Sequence, residues 1–451
     1  MKHLVLKEYS YISIAKHGKK DEKGNDLLSY SDNGNVFVPE DTFEQLENFV
    51  LSSSDDTDRF LKLQSRKKQK VLVAQNYVGV IETKAGIVIE ILPKIHGLDN
   101  KEDETREIFL KMLRCLKSTP YKQIDFAHLK SSKMPLIEIF ITMFLDELSV
   151  LIKKGIKSDY VAVAENCNFM KGKIKWTDHL NKNLIHKERF FVEYDEYITD
   201  RPENRLIKST LMMLSKKSKS YKNQKSISEY LFVFDEVRAS QNIISDFAKV
   251  KPDRSMVDYE RVLSWCKIFL QNETFTNYKG TDIAFALLFP MERIFEDYVA
   301  AYIRNNFSDW HLKTQDKQHY LVDKHTATGK FRLKPDIVME KDGRVVVLDT
   351  KWKLIDQNLE RKNYLISQSD MYQLFAYGKK YERNSKNDVC LFLIYPYTVD
   401  FTEPLEHFEY STKDTNGKSL RLCAIPFNVT SSFNNKDLNA IACSKLTSIF
   451  H

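Results

Sequence analysis

The stretch Lys334–Lys353, KPDIVMEKDGRVVVLDTKWK, decides the fold around it. Its pattern predicts two short strands joined by a turn at the Lys-Asp-Gly sequence of residues 341–343. Asp336 enters the first strand, and Asp349 and Lys351 leave the second on one face, because side chains alternate along a strand. Two carboxylates and an ammonium that converge in a sheet are costly to remove from water. Together they can hold a divalent cation beside a phosphate.

The segments on either side predict a mixed α/β layer. A helix is expected through ALLFPMERIFEDYVAAYIRN, residues 286–305, followed by the two strands, a helix at 368–381 and an apolar strand at 389–395. The apolar arc of the first helix contains six residues: Ile294, Phe295, Tyr298, Val299, Tyr302 and Ile303. Glu296 falls at the edge of this arc, where its carboxylate can reach over the sheet to a metal. Glu292 and Asp297 are alternatives for that role.

These residue types suit phosphodiester hydrolysis. Asp336 and Asp349 supply hard oxygen ligands for one or two Mg²⁺ ions, and the main-chain carbonyl of Thr350 is a further candidate ligand. Lys351 lies where it can orient the attacking water and stabilise the developing charge.

The helix at 368–381 adds two polar side chains to this prediction. Gln373 and Tyr377 are four residues apart and therefore share one helix face. They can hydrogen-bond the DNA backbone or position Lys351, and both roles stay open. A lone P-D followed by D-x-K also occurs as a solvated strand edge, so it is the surrounding elements that favour the catalytic interpretation.

Composition narrows the class of protein. The 451 residues predict two or three domains, and 69 basic against 62 acidic residues permit a polyanionic partner without requiring one. The six cysteines lack C-x-x-C spacing and predict reduced, mostly buried thiols. No long apolar segment suggests a signal peptide or a membrane span, so a cytoplasmic location without membrane contact is expected. The sequence contains no G-x-x-x-x-G-K-[ST] loop, which argues against nucleotide binding through a P-loop.

The expected fold class is α+β with three parts. Residues 1–100 predict a small β-rich module, with a hairpin at 77–91 and a short helix at 41–51. Residues 101–275 are mainly helical, and 276–451 form the α/β domain described above. The first part has two open interpretations, a DNA contact or a packing and assembly module.

A basic segment with aromatic residues stands out in the middle part. Residues 169–211 carry Lys171 and Lys173 near Trp176, then a strand-like FFVEYDEY and a helix start that precedes Arg205. Such a stretch is consistent with phosphate or partner contacts, and also with a solvated loop.

On these residues the chain resembles the McrC family, the nuclease subunits of modified-cytosine restriction systems. The C-terminal part is similar to a PD-(D/E)xK nuclease of the RecB-like, restriction-endonuclease-like kind, through Asp336 in KPDIV, Asp349 and Lys351 in VLDTKWK, Glu296 in LFPMERIFEDYV, and the SDMYQLFAY helix. The segments MKGKIKWTDHL, FVEYDEY and NRLIKSTL resemble the upstream part of McrC, which generic nucleases of this fold lack.

The resemblance implies a Mg²⁺-dependent type IV restriction endonuclease subunit that cuts double-stranded DNA, expected to contain methylcytosine. It also implies docking of the 101–275 region on a McrB-type AAA+ ring, which binds and hydrolyses GTP in place of this chain. Two alternatives are a free-standing RecB-like nuclease and a non-catalytic activator or scaffold of the ring.

Overall fold

The structure is a computed structural model, and it describes residues 2–15, 29–32, 34–52, 60–98, 101–116, 134–250, 257–271, 283–326, 328–382, 389–410 and 420–430. The chain divides into two compact units. The first unit combines Met1–Lys133 with Tyr278–His451, and the second is Met134–Asn277. The N-terminal and C-terminal parts of the chain thus belong to one unit.

The described residues contain strands and helices in alternating groups. The strands are β1 (Lys2–Lys7), β2 (Tyr11–Ile14), β3 (Tyr30–Asp32), β4 (Asn35–Val38), β5 (Leu61–Arg66), β6 (Gln69–Ala74), β7 (Tyr77–Thr83), β8 (Ile87–Leu92), β9 (Asp159–Cys167), β10 (Lys173–Ile174), β11 (Phe190–Ile198), β12 (Ile283–Pro290), β13 (His311–Thr314), β14 (Tyr320–His325), β15 (Thr328–Arg332), β16 (Ile337–Lys341), β17 (Arg344–Thr350), β18 (Val389–Pro396), β19 (Phe408–Tyr410) and β20 (Leu420–Phe427).

The helices are α1 (Glu40–Ser52), α2 (Glu102–Leu113), α3 (Leu136–Lys154), α4 (Trp176–Asn183), α5 (Pro202–Lys217), α6 (Tyr221–Val233), α7 (Ile243–Lys249), α8 (Val257–Gln271), α9 (Met291–Asn306) and α10 (Gln368–Glu382), with a 3₁₀ segment at Glu360–Leu365. None of the helices in these described ranges is long and apolar enough to cross a membrane.

The N-terminal part of the first unit consists of two sheets. One has the strand order β3-β4-β2-β6-β5, and the other has the order β1-β8-β7-β12. The predicted hairpin at 77–91 is confirmed as β7 and β8, and the predicted helix at 41–51 as α1. Gly79 of β7 allows the close approach of β12, because a Cβ atom at this position would lie 2.0 Å from the carbonyl oxygen of Leu287.

Strand β12 corrects one prediction. The predicted helix at 286–305 begins only at Met291, and residues 283–290 form a strand that pairs antiparallel with β7. Two physical reasons explain the difference. A residue before proline is disfavoured in the α-helical region, so Pro290 favours an extended segment before it. Leu287, Leu288 and Phe289 also gain full burial in this sheet.

The C-terminal part of the first unit contains a six-stranded mixed sheet of order β13-β16-β17-β18-β20-β19. Strands β16 and β17 pair antiparallel, whereas β17, β18 and β20 run parallel. The predicted apolar arc of α9 is confirmed, since all six of its residues are buried. Strands β14 and β15, which follow β13 and precede β16 in the chain, form a separate two-stranded ribbon.

The second unit is helical, with a small antiparallel sheet of order β10-β11-β9. Helix α3 packs against α8 through the ring pairs Phe140–Trp265 and Phe144–Phe269. Glu138 on α3 is buried and accepts hydrogen bonds from Ser218 Oγ and from the side-chain amide of Asn223, each at 2.8 Å. A buried carboxylate is tolerated here because neighbouring donors replace its water.

The predicted mixed α/β architecture is confirmed in its coarse form, with several sheets and helices in more than one compact unit. The assignment of separate roles to residues 1–100, 101–275 and 276–451 stays a prediction. The cysteines of the described ranges form no disulfide, and of these Cys266 is buried while Cys115, Cys167, Cys390 and Cys423 are half-buried. Cys443 lies outside the described residues.

Candidate active site

The hairpin of β16 and β17 brings the predicted acids together. Its turn places Asp342 and Gly343 at φ 49° and 76°, a left-handed pair typical of a tight hairpin. The register pairs Ile337 with Leu348, and its continuation sets Asp336 opposite Asp349. Both acids therefore lie at the open end of the hairpin, as the sequence predicted.

Asp336 is fixed by Thr350. Its Oδ2 accepts hydrogen bonds from the Thr350 backbone N–H at 2.8 Å and from Thr350 Oγ1 at 2.9 Å. The side chain of Thr350 points to the opposite strand rather than to solvent, and the residue is 5% exposed. These two bonds orient the carboxylate of Asp336 at the end of the sheet.

Asp349 is fully buried, and Lys351 Nζ lies 2.5 Å from its Oδ2. Apart from this ion pair, neither carboxylate oxygen of Asp349 has a hydrogen-bond donor among the described residues. Burial raises the pKa of Asp349, and the charge of Asp336 raises it further, against the opposing effect of Lys351. Burial lowers the pKa of Lys351, but Asp349 and Asp336 outweigh it and raise that pKa overall. The arrangement thus favours a charged lysine beside carboxylates that repel each other.

Helix α10 holds Lys351 through a chain of hydrogen bonds. Lys351 Nζ donates to Gln373 Oε1 at 3.2 Å, and Gln373 Nε2 donates to the Tyr377 hydroxyl at 2.7 Å. The Tyr377 hydroxyl donates in turn to the main-chain carbonyl of Lys334 at 3.1 Å. Of the two roles left open from the sequence, this geometry favours the positioning of Lys351.

Glu296 is connected to the same end of the hairpin by Gln315, which follows β13. The side-chain amide of Gln315 donates to Glu296 Oε1 at 2.6 Å, and its backbone N–H donates to the carbonyl of Asp336 at 2.9 Å. The two alternative acids of α9 point elsewhere. Glu292 accepts a hydrogen bond from Asn76 at 2.9 Å, and buried Asp297 lies close enough to Cys115 to influence its pKa.

Sequence reasoning missed Asp370. This residue of α10 is 4% exposed, forms an ion pair with Lys353 at 3.1 Å, and contributes to the raised pKa of Asp349. Helical spacing could have identified it, because Asp370 is three residues before Gln373 and shares its helix face. Gln315 gave no comparable signal, since it depends on a loop that only the folded chain brings to α9.

The basic segment of the second unit contains residues in different situations. Lys171 Nζ lies 3.2 Å from a carboxylate oxygen of Glu165, and Lys173 is exposed on β10. Trp176 is 64% exposed at the start of α4. Arg205 is already engaged, because its guanidinium donates to both carboxylate oxygens of Asp200 at 2.8 Å.

The residues at the hairpin fit a divalent cation in donor chemistry. Buried Asp349 faces Asp336. Lys351 is the adjacent positive charge, so one of the two negative charges is not neutralised. Within the described ranges, no group of three or more His, Cys, Asp and Glu side chains is arranged to hold a metal. Two carboxylates therefore meet here, and Gln315 joins Glu296 to them.

Taken together, these elements define a multidomain α/β protein with an acid-acid-lysine cluster at the end of a mixed sheet. The sequence profile of the family described as McrBC 5-methylcytosine restriction system component matches residues 72–396, more than half of the chain. The chain belongs to this family, and the McrC resemblance read from the sequence is confirmed.

Solved structures give a related result. The chain is similar to one in a half-complex from a tetradecameric assembly of Thermococcus gammatolerans McrB AAA+ hexamers with bound McrC, with a TM-score of 0.66 and 19% identity over 99% of this chain and 100% of that one. A chain in the cryo-EM structure of the Thermococcus gammatolerans McrBC complex matches with a TM-score of 0.49 and 18% identity over 67% of this chain and 88% of that one. At these identities the first likeness concerns the fold. A comparison with curated proteins found no match.

Proposed function

We propose that this chain is the Mg²⁺-dependent DNA endonuclease subunit of a McrBC-like restriction complex. The observation that carries the proposal is the convergence of Asp336, buried Asp349 and Lys351 at the open end of one hairpin. This is the arrangement expected of a PD-(D/E)xK nuclease. The proposed substrate is double-stranded DNA that contains methylcytosine.

Asp336 and Asp349 would hold the metal together with the main-chain carbonyl of Thr350. Glu296 would act on it indirectly, through Gln315. When bound, Mg²⁺ neutralises phosphate charge and lowers the pKa of bound water. Lys351 places its ammonium between Asp349 and Gln373, where it can orient a water and stabilise charge on the phosphate. Gln373 and Tyr377 keep this ammonium in place by joining it to the backbone at Lys334.

The proposed partner is a McrB-type AAA+ ring that hydrolyses GTP. This division of labour agrees with the lack of a P-loop in the sequence. The second unit offers a candidate docking surface, which we call the α4 patch and define as Trp176, Leu180, Leu184 and Ile185. These side chains are between 58% and 87% exposed. Contiguous exposed apolar side chains mark protein interaction sites.

Cleavage of methylated plasmid tests the proposal. The chain is incubated with Mg²⁺, with and without a purified McrB-type ring and GTP, in parallel with Asp349→Ala and an EDTA control. We expect cleavage only with the ring, GTP and Mg²⁺, and none by Asp349→Ala, which should still stimulate GTP hydrolysis. Cleavage by the chain alone would indicate a free-standing RecB-like nuclease. GTPase stimulation without cleavage by the unaltered chain would indicate a non-catalytic activator.

A further inference from the structure

The β14–β15 ribbon projects its side chains into solvent directly before the candidate active site. All eleven residues of Tyr320–His325 and Thr328–Arg332 are exposed or half-exposed. Leu321 is 48% exposed and Phe331 is 75% exposed. A two-stranded ribbon of this kind contributes little to a core, so its sequence is free to serve an external contact.

The charge of the segment is strongly positive. Residues 317–334 contain five Lys or Arg residues and one acid, Asp323. The acid is already paired with Lys380 of α10, with 2.5 Å between the charged atoms. Lys324 and Lys330 are exposed and form no ion pair with any residue in the described ranges. The ribbon therefore presents unbalanced positive charge to solvent, as a surface that contacts phosphates does.

The base of the ribbon is joined to the catalytic cluster. The backbone N–H of Leu333 donates to the carbonyl of His319 at 2.9 Å, which closes the ribbon. The next residue, Lys334, accepts the hydrogen bond from Tyr377 that ends the chain from Lys351. Asp336 follows two residues later, so at most about 18 Å of extended chain separates it from Phe331.

The conformation of Phe331 supports an external role. Its φ is 55°, in the left-handed region that bulky residues rarely adopt. Such a backbone conformation is costly and persists where the surrounding structure holds it, often at binding sites. Here it directs a large aromatic side chain into solvent rather than into a core.

We propose that the β14–β15 ribbon inserts into the major groove of double-stranded DNA beside the scissile phosphate. The groove is about 12 Å wide and admits a two-stranded ribbon. Lys324 and Lys330 neutralise phosphates on its walls, and Leu321 and Phe331 make apolar contacts inside it. This inference rests on the proposed nuclease function and adds the element that holds the duplex in register with Asp336 and Asp349.

The test measures duplex binding as a function of salt. Full-length chain carrying Asp349→Asn binds a fluorescent 30-base-pair duplex, with and without Lys324→Gln and Lys330→Gln. Each phosphate contact contributes about 0.9 to the slope of log K against log salt, so we expect the slope to fall by about two. Lys219→Gln with Lys222→Gln, exposed at the start of α6, is the matched control and should leave the slope unchanged.

The outcomes separate the two proposals. If the chain binds and, with its ring, cleaves DNA, but the ribbon variant keeps the original slope or the control lowers it equally, the ribbon inference is overturned and the nuclease proposal stands. If the unaltered chain neither binds nor cleaves DNA, both are overturned. Phe331→Ala provides a second measurement, with reduced duplex affinity expected and an unchanged salt slope.

Discussion

Trp352 donates its indole N–H to the carboxylate of Glu8, with distances of 3.2 and 3.1 Å to the two oxygens. Glu8 directly follows β1, and Trp352 directly follows Lys351. Glu8 also accepts a hydrogen bond from the Lys94 backbone N–H at 3.0 Å. The N-terminal sheets are thereby attached to the segment after β17 that carries the candidate catalytic lysine, which is consistent with their placement in one compact unit.

This buried carboxyl predicts a pH-dependent stability. Burial raises the pKa of Glu8 to about 8, far above its usual value, so the folded state binds this proton more tightly than the unfolded state. Glu8 therefore stabilises the folded state at pH 4. This stabilisation, on the order of a few kcal/mol, is lost as the pH rises to 8. Denaturant unfolding from pH 5 to pH 8 measures it.

The control for this effect is a matched pair of variants. Glu8→Gln keeps an acceptor for Trp352 but does not ionise, so its stability should fall less between pH 5 and pH 8. Glu44→Gln, on the exposed side of α1, should retain the original pH dependence. Equal pH dependence in the unaltered chain and in Glu8→Gln would contradict the assignment.

The same carboxyl shows what the sequence could not predict. The alternation in Lys334–Lys353 was sufficient to place Asp336, Asp349 and Lys351 together, because strand geometry is local. Glu8 and Trp352 are separated by more than 340 residues, and only packing brings them together. The contacts of Gln315 likewise depend on a loop conformation with φ 52°, which cannot be predicted from a glutamine in the sequence.

Secondary structure was likewise predicted correctly where the pattern is local and wrongly where it depends on a distant strand. The helix predicted at 368–381 forms as α10 within one residue of those bounds, since apolar residues recur three and four positions apart along it. Residues 286–290 were predicted as helix and form part of β12, because a short apolar run fits either element until a partner strand is known. The neighbour that decides the outcome, β7, lies some 200 residues earlier in the chain.

Asp349→Asn should separate activity from stability. We expect cleavage to fall by more than about 100-fold, since a ligand of the proposed metal is lost. Without divalent cations the melting temperature should change little, because the amide removes the repulsion from Asp336 and also weakens the contact with Lys351. Asp342→Asn, in the exposed turn of the same hairpin, should change neither property. A large loss of stability in Asp349→Asn would mean that the carboxylate is structural.

Two of the acids of α9, Glu296 and Glu292, can be ranked by amide substitution. Glu296→Gln should lower cleavage by about 10- to 100-fold and raise the Mg²⁺ concentration needed for half-maximal rate, because Glu296 is joined to the Asp336 backbone by Gln315. Glu292→Gln should behave like the unaltered chain, since that side chain contacts Asn76. Metal titration of the cleavage rate is the measurement. A Mg²⁺ requirement altered by Glu292→Gln alone would reverse the ranking.

Gln373 is expected to act through Lys351. Gln373→Ala removes the acceptor of the lysine ammonium, so cleavage should fall by about 10- to 100-fold. Gln373→Glu restores an acceptor and should recover part of the rate, which a purely structural role would not predict. Cleavage rates from pH 6 to pH 9 provide the readout. If both variants keep the full rate and pH profile, Gln373 does not position Lys351.

Substitution in the α4 patch should weaken binding to the ring without changing the stability of the fold. Trp176 is 64% exposed, so Trp176→Ala should leave the melting temperature unchanged. A buried aromatic anchor contributes about 2 kcal/mol or more to an interface, so affinity for a McrB-type ring should fall by at least about 30-fold, with a parallel loss of GTPase stimulation. Phe232→Ala, at 82% exposure on α6, is the control. Equal loss of ring binding in both variants, or in neither, would place the docking surface elsewhere.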